Sequence, residues 1–125
     1  MASSAELRET SERIEALRAQ ATGDPAWRKA LAESLQAHAE VLQANDRFDD
    51  ARQAVHEAIS VLSPAFVAKP VVYEATMNVL ANLYLSLVRR TDAPVDKALL
   101  EPIALAQAQL NGERDDASDG DGDGE

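Results

Sequence analysis

Apolar residues recur every three or four positions along most of this chain, which is the spacing that places them on one side of a helix. After Pro25, for example, Leu31, Leu35 and Leu42 share one side, and polar residues take most of the other. Breaks in the rhythm coincide with proline, glycine, asparagine and aspartate. The pattern predicts five helices, over residues 3–22, 25–44, 48–62, 70–90 and 95–110.

Two junctions carry clear signals for the start and end of a helix. Asp24 can cap the second helix, and Pro25 suits the first helical position because the N–H that proline lacks has no partner there. At the other end, Asn45 tolerates the left-handed conformation that closes a helix, so Asn45 and Asp46 are predicted to form the turn.

Proline governs the boundaries of the later helices. Pro64 should end the third helix, because proline disfavours helical geometry in the residue before it, and residues 65–69 should form a connection. Pro102 should kink the fifth helix or move its start later, and Asn111 with Gly112 should end it. The predicted inward side of the fifth helix comprises Val95, Ala98, Leu99, Ile103, Ala106 and Leu110.

Small residues occupy positions where the second and third helices should touch. These are Ala39, Ala51 and Ala58, and larger apolar residues fill the spaces between them. The fourth helix repeats the second at a distance of 42 residues, since Leu35, His38, Ala39 and Leu42 correspond to Met77, Leu80, Ala81 and Tyr84. The sequence therefore predicts two helix pairs built to one plan.

Over residues 25–110 this plan resembles the tetratricopeptide repeat (TPR), in the long-helix form seen in bacterial proteins. The resemblance implies an all-α array of two antiparallel helix hairpins, with the first helix capping one end. It also implies a scaffold that holds other proteins. The fifth helix would expose an apolar edge, which raises the hypothesis that a homodimer covers it.

The same resemblance implies where a partner would bind. In the family, the first helix of each pair lines a concave groove, and asparagine there hydrogen-bonds an extended peptide; Asn82 occupies the position most used for this. An amide suits the task because it both donates and accepts. The implied groove comprises Asn78, Asn82, Leu85 and Arg89 from the fourth helix and Gln36, Glu40 and Gln43 from the second.

Charge and composition exclude several other partners. The net charge is −10, and residues 113–125 carry −6 of it. With no basic stripe, neither nucleic acid nor an anionic membrane is an expected partner, and no apolar run approaches the roughly 20 residues of a membrane span. The tail at 113–125 has almost no apolar content, so it is predicted to be disordered beside a helical domain at 1–112.

The residues show no pattern for catalysis. The chain has no cysteine, its serines lack a base at a recognisable spacing, and no glycine-rich loop precedes a helix. His38 and His56 could serve a metal or pH sensor, but a half-buried, hydrogen-bonded His38 and a surface His56 fit the pattern better. The sequence therefore predicts a non-enzymatic, cytoplasmic adaptor for a protein or peptide, without cofactor or metal. The alternative is a self-assembling structural subunit.

Overall fold

The structure, a computed structural model, describes residues 4–20 and 22–122, with side chains described over 5–20 and 22–112. It confirms the all-α prediction. The five helices are α1 (Ser4–Gln20), α2 (Pro25–Ala44), α3 (Phe48–Ala68), α4 (Pro70–Thr91) and α5 (Lys97–Gly122).

The start of α2 follows the predicted capping chemistry. The Oδ1 atom of Asp24 accepts a hydrogen bond of 2.9 Å from the N–H of Trp27. That bond, followed by one from the Thr22 hydroxyl, holds the pKa of the Asp24 carboxyl below its ordinary value. An orphan N–H at the helix start is thereby satisfied, and Pro25 has none to satisfy.

The turn after α2 uses a different residue from the one predicted. Asp46, with φ of 61°, takes the left-handed conformation, whereas Asn45 has φ of −101°. The side-chain amide of Asn45 instead donates to the carbonyl of Val41 at 2.8 Å and closes the helix end. Asp92, with φ of 54°, ends α4 in the same conformation. A short polar side chain tolerates this backbone region better than most residues do.

The predicted end of α3 at Pro64 is wrong. The helix passes through Pro64 and continues to Ala68, so only Lys69 separates it from α4. Pro64 has no N–H to donate to the carbonyl of Ser60, and both residues are exposed. Beyond the proline, Ala65 and Phe66 are 5% and 0% exposed. Burial of these two side chains favours the longer helix over the break that local preference predicts.

The predicted limits of α5 are also wrong. The helix begins at Lys97 and accommodates Pro102 within it, and its backbone continues past Gly112 to Gly122. Val95 is 39% exposed and Ala98 is exposed, contrary to prediction. Burial of Ile103, Ala106 and Leu110 is confirmed. The predicted disordered tail covers residues 113–125. The side chains of this tail, and the backbone of 123–125, lie outside the described residues, so the disorder stays a prediction.

The helix α3 is the centre of the fold and packs against α2, α4 and α5, while α1 packs against α2. Arg28, near the start of α2, donates to the carbonyl of Val61 late in α3 at 2.9 Å. Arg52, near the start of α3, donates to Thr91 at the end of α4 at 2.7 Å. Both neighbours therefore run antiparallel to α3.

Three small residues that the sequence predicts at the α2–α3 contact are fully buried. Ala39, Ala51 and Ala58 are each 0% exposed. Leucine, isoleucine and phenylalanine side chains fill the core around them, and the largest fully buried ones include Phe66, Leu31, Leu35, Ile59 and Leu62. Small residues at a contact allow the helix axes to approach, which lets the larger neighbours interdigitate.

Candidate protein-binding surface

Three of the four predicted partner-binding residues of α4 lie on the side of the helix that faces away from the core. Met77, Leu80 and Tyr84 are buried on the inner side. Asn78 and Asn82, one helical turn apart, are exposed on the outer side. Arg89 is exposed and continues this outer side toward the end of the helix, whereas Leu85 is half-buried and packs against the core.

The predicted residues of α2 form a second polar strip. Gln36 donates to Glu40 Oε2 at 3.3 Å, and Gln43 is half-buried one turn beyond Glu40. Within the described part of the chain, no hydrogen bond or ion pair joins these side chains to Asn78 or Asn82. The helix α3 packs against both α2 and α4. A single groove that contains both sets therefore stays a prediction.

The structure adds exposed valines that the sequence analysis did not single out. Val71, Val72 and Val79 on α4 are 70%, 62% and 48% exposed, and Val67 near the end of α3 is 49% exposed. Since α3 ends one residue before α4, Val67 lies close in sequence to Val71 and Val72 at the α3–α4 corner. We call Val71, Val72, Asn78, Val79 and Asn82 the outer α4 surface.

The charges beside the outer α4 surface differ in sign from the protein as a whole. Arg89 and Arg90 end the helix, and Lys69 precedes it. Arg90 lies over the ring of Phe48, 4.2 Å from its centroid, in a cation–π contact. The single acid in α4, Glu74, accepts a hydrogen bond of 3.0 Å from Gln107. A chain with net charge −10 therefore presents one helix whose charged ends are basic.

The two histidines occupy different polar settings. His38 is half-buried, and its Nδ1 lies 2.6 Å from the Thr10 hydroxyl, as expected for a hydrogen-bonded position. His56 Nε2 lies 2.8 Å from Asp96 Oδ2, and the ring meets Tyr84 edge-on at 6.0 Å. The side chain of His56 is 42% exposed, in agreement with the predicted surface position. Its contact with Asp96 also links α3 to the start of α5.

Asp96 has two further bonds that fix the start of α5. Its Oδ1 accepts from the N–H of Leu99 at 3.1 Å, and its own N–H donates to the Tyr84 hydroxyl at 3.0 Å. The bond from His56, followed by the one from Leu99, lowers the pKa of the Asp96 carboxyl. Because an ionised carboxylate only accepts, His56 is the donor in the pair.

The lowered pKa of Asp96 predicts that the protein loses stability in acid. Asp96→Asn should lose less stability between neutral and acid pH than the original protein does. A carboxyl whose pKa is lower in the folded state stabilises the fold above its unfolded pKa, and the effect is lost as pH falls through the folded value. In urea unfolding followed by circular dichroism, Asp96→Asn should cost most near neutral pH, and its deficit should shrink below about pH 4. Glu101→Gln, the same acid-to-amide change at an exposed position within α5, is the control and should leave the stability nearly unchanged. A deficit for Asp96→Asn that stays constant with pH would contradict the assignment.

The described side chains include no group of three histidines, aspartates or glutamates that could hold a metal ion. The prediction that no apolar run is long enough to span a membrane does not hold for α4, which is apolar enough by length and composition. An 18-residue stretch of α4 passes this test with 33% of it buried, and core helices of soluble proteins pass it too. Comparison with protein-family models, curated proteins and solved structures finds no match to this chain. Over the residues that the structure describes, the fold is all-α with five helices.

Proposed function

We propose that this chain is a non-catalytic, cytoplasmic adaptor that binds a partner protein through the outer α4 surface. The observation that carries the proposal is the exposure of Val71 and Val72, at 70% and 62%, beside two exposed asparagines. The core already holds the opposite side of α4, so burial within the fold does not explain these valines. Contiguous exposed apolar side chains with polar neighbours are typical of protein-binding surfaces.

The chemistry of the surface favours a peptide or helix with apolar and acidic side chains. Removal of the valines from water by a partner lowers the free energy and so favours binding. Asn78 and Asn82 each offer a donor and an acceptor to a peptide bond. Arg89 gives one end of the surface a charge that attracts acids. The resemblance to tetratricopeptide repeats supports the same use and extends the proposed contact to Gln36, Glu40 and Gln43 on α2.

Variants of the outer α4 surface test the proposal. The intact chain is used to capture proteins from the source cytosol, alongside Asn82→Ala and Val71→Asp. Both changes affect exposed side chains, so helicity by circular dichroism should be unchanged, while recovery of a specific partner should fall by about tenfold for each. Gln20→Ala, an exposed change on α1, should recover the partner as the intact chain does.

Recovery that is equal for the intact chain, Asn82→Ala and Val71→Asp would overturn the proposed surface. A quantitative affinity for the recovered partner, measured with purified proteins, then decides whether the loss reflects direct binding. The asparagine variant tests hydrogen bonding, and the aspartate variant tests burial of apolar surface, so the pair separates the two contributions.

A self-assembling subunit is the second candidate function. It is favoured by Leu105 on α5, which is 63% exposed, in addition to the valines of the outer α4 surface. If copies of the chain cover these side chains, the mass measured by light scattering should rise with concentration, and Leu105→Asp or Val72→Asp should return it to that of a monomer. A monomeric mass across the micromolar range would exclude this candidate.

A further inference from the structure

A separate groove of about 520 Å³ lies where α1, α2 and α3 meet. Its floor is apolar and includes Ile14, Leu35 and Leu42, which are 3%, 1% and 4% exposed. Its rim is polar. The volume falls within the range of small-molecule sites, and polar or charged side chains make up most of the lining. None of the outer α4 surface takes part in it.

The rim of the groove is rich in cationic side chains. Arg8 and Arg18 come from α1, and Arg47 is the residue before α3. Arg18 pairs with Glu57, and Arg47 pairs with Asp50 at 2.7 Å. Arg8 is exposed and its guanidinium has no hydrogen-bond or ion-pair partner among the described residues. The rim therefore retains a positive charge for a ligand, in a chain whose net charge is −10.

His38 lies between these cations and the apolar floor. The Thr10 hydroxyl donates to the carbonyl of Glu6 at 3.0 Å, so it accepts from Nδ1 of His38 and leaves Nε2 able to take a proton. Burial, then the charges of Arg47 and Arg18, lowers the pKa of His38, and Asp50 opposes them. An anion placed near the ring would offset the two arginines and favour the protonated imidazole.

We propose that the α1–α2–α3 groove binds a small organic carboxylate with an apolar body. The carboxylate lies among Arg8, Arg47 and the imidazole of His38, and the apolar body covers the floor. A free guanidinium and an imidazolium are good donors to a carboxylate. The half-buried Leu7, which also lines the groove, offers the apolar body a contact that a bare ion would not gain. The site is independent of the proposed adaptor surface.

Octanoate is the probe, and the two histidines of the chain serve as reporters. Ring resonances of His38 and His56 are followed by NMR against pH, with and without octanoate. Octanoate should raise the pKa of His38. The ring resonances of His56, which faces Asp96 and Arg52 instead, should not respond to octanoate. The groups facing His38 are Arg8 and Arg18 on α1 and Arg47, Asp50 and Glu57 at α3.

Acetate and octylammonium separate the two halves of the recognition. Acetate carries the charge without the apolar body and should bind far more weakly than octanoate. Octylammonium carries the same body with the opposite charge and should leave the His38 resonances unperturbed. Equal responses of His38 and His56 to octanoate, or equal responses of His38 to octanoate and octylammonium, would overturn the proposal.

Two arginine variants locate the carboxylate. Arg8→Gln removes the unpaired cation of the rim and should weaken octanoate binding by about tenfold, the usual effect of losing one charge-assisted hydrogen bond. Arg13→Gln makes the same change on the same helix, but Arg13 lines a different groove, between α1 and α2. It should change the affinity less than about twofold. A larger loss with Arg13→Gln than with Arg8→Gln would place the ligand in the other groove and overturn the assignment.

Discussion

Phe66→Ala is expected to destabilise the protein by about 3–5 kcal/mol, a large share of the roughly 5–15 kcal/mol that holds a domain of this kind folded. Phe66 is 0% exposed and is the largest fully buried side chain among the described residues. Its removal loses apolar burial and leaves a cavity that the surrounding helices fill only in part. Urea unfolding followed by circular dichroism gives the change directly.

The neighbouring residue supplies the control for Phe66. Val67 is 49% exposed, so Val67→Ala should change the free energy of unfolding by less than about 0.5 kcal/mol. The comparison also tests the path of the chain. Phe66 is buried because α3 continues through Pro64, and a helix that ended at Ser63 would give no reason for so large a difference. Similar effects of the two variants would contradict the extended α3.

Ala58→Leu is expected to destabilise the protein by about 1–3 kcal/mol through overpacking. Ala58 is 0% exposed in α3, which faces α2 and α4, and the same holds for Ala39 and Ala51 at the α2–α3 contact. A leucine there has no space unless the helices separate or neighbouring side chains leave their preferred rotamers. Thermal and urea unfolding should both show the loss, with helicity of the folded state retained.

Ala104→Leu is the matched control for Ala58→Leu. Ala104 is exposed on α5, so the added side chain meets water and the stability should stay within about 0.5 kcal/mol of the original. If Ala58→Leu were as harmless as Ala104→Leu, the small residues would not set the distance between α3 and its neighbours. A deficit confined to Ala58 supports their role in positioning the helices.

Local chemistry explains which boundaries the sequence predicts well. Asp24 caps α2 through a bond to Trp27 only three residues away, and Pro25 fits the first turn whatever the rest of the chain does. The start of α4 at Pro70 follows the same rule. Such signals depend on neighbours in sequence, so they are legible before the fold is known.

Long-range contacts explain the boundaries that the sequence missed. The extension of α3 depends on the burial of Ala65 and Phe66, which outweighs the local cost of Pro64. Asp96 caps the start of α5 locally through Leu99, but its second partner, His56, lies 40 residues earlier. The burial of Phe66 and the pairing with His56 have no signature in the adjacent residues, because a buried surface or a paired side chain exists only once the helices are assembled.

The outer α4 surface and the α1–α2–α3 groove also combine features that the sequence predicts with features that only the packing of the helices decides. Helical periodicity alone places Asn78 and Asn82 opposite Met77 and Leu80, and the structure agrees that they are exposed. The same period places Val71 two turns before Asn78, but apolar valines there suggest a core position until the neighbouring helices are known to leave Val71 and Val72 uncovered. The convergence of Arg8 and Arg47 on one groove likewise requires both α1 and α3 to pack on α2.

The sequence by itself determined the helical class, the number of helices, the small-residue contacts at Ala39 and Ala51, and the direction in which most side chains point. These follow from the 3.6-residue period and from capping, which act over a few residues. Tertiary structure alone decided how far α3 and α5 extend, which apolar side chains stay in water, and which charges meet. Those outcomes depend on burial and pairing between distant segments, and their free energies exceed the local preferences that oppose them.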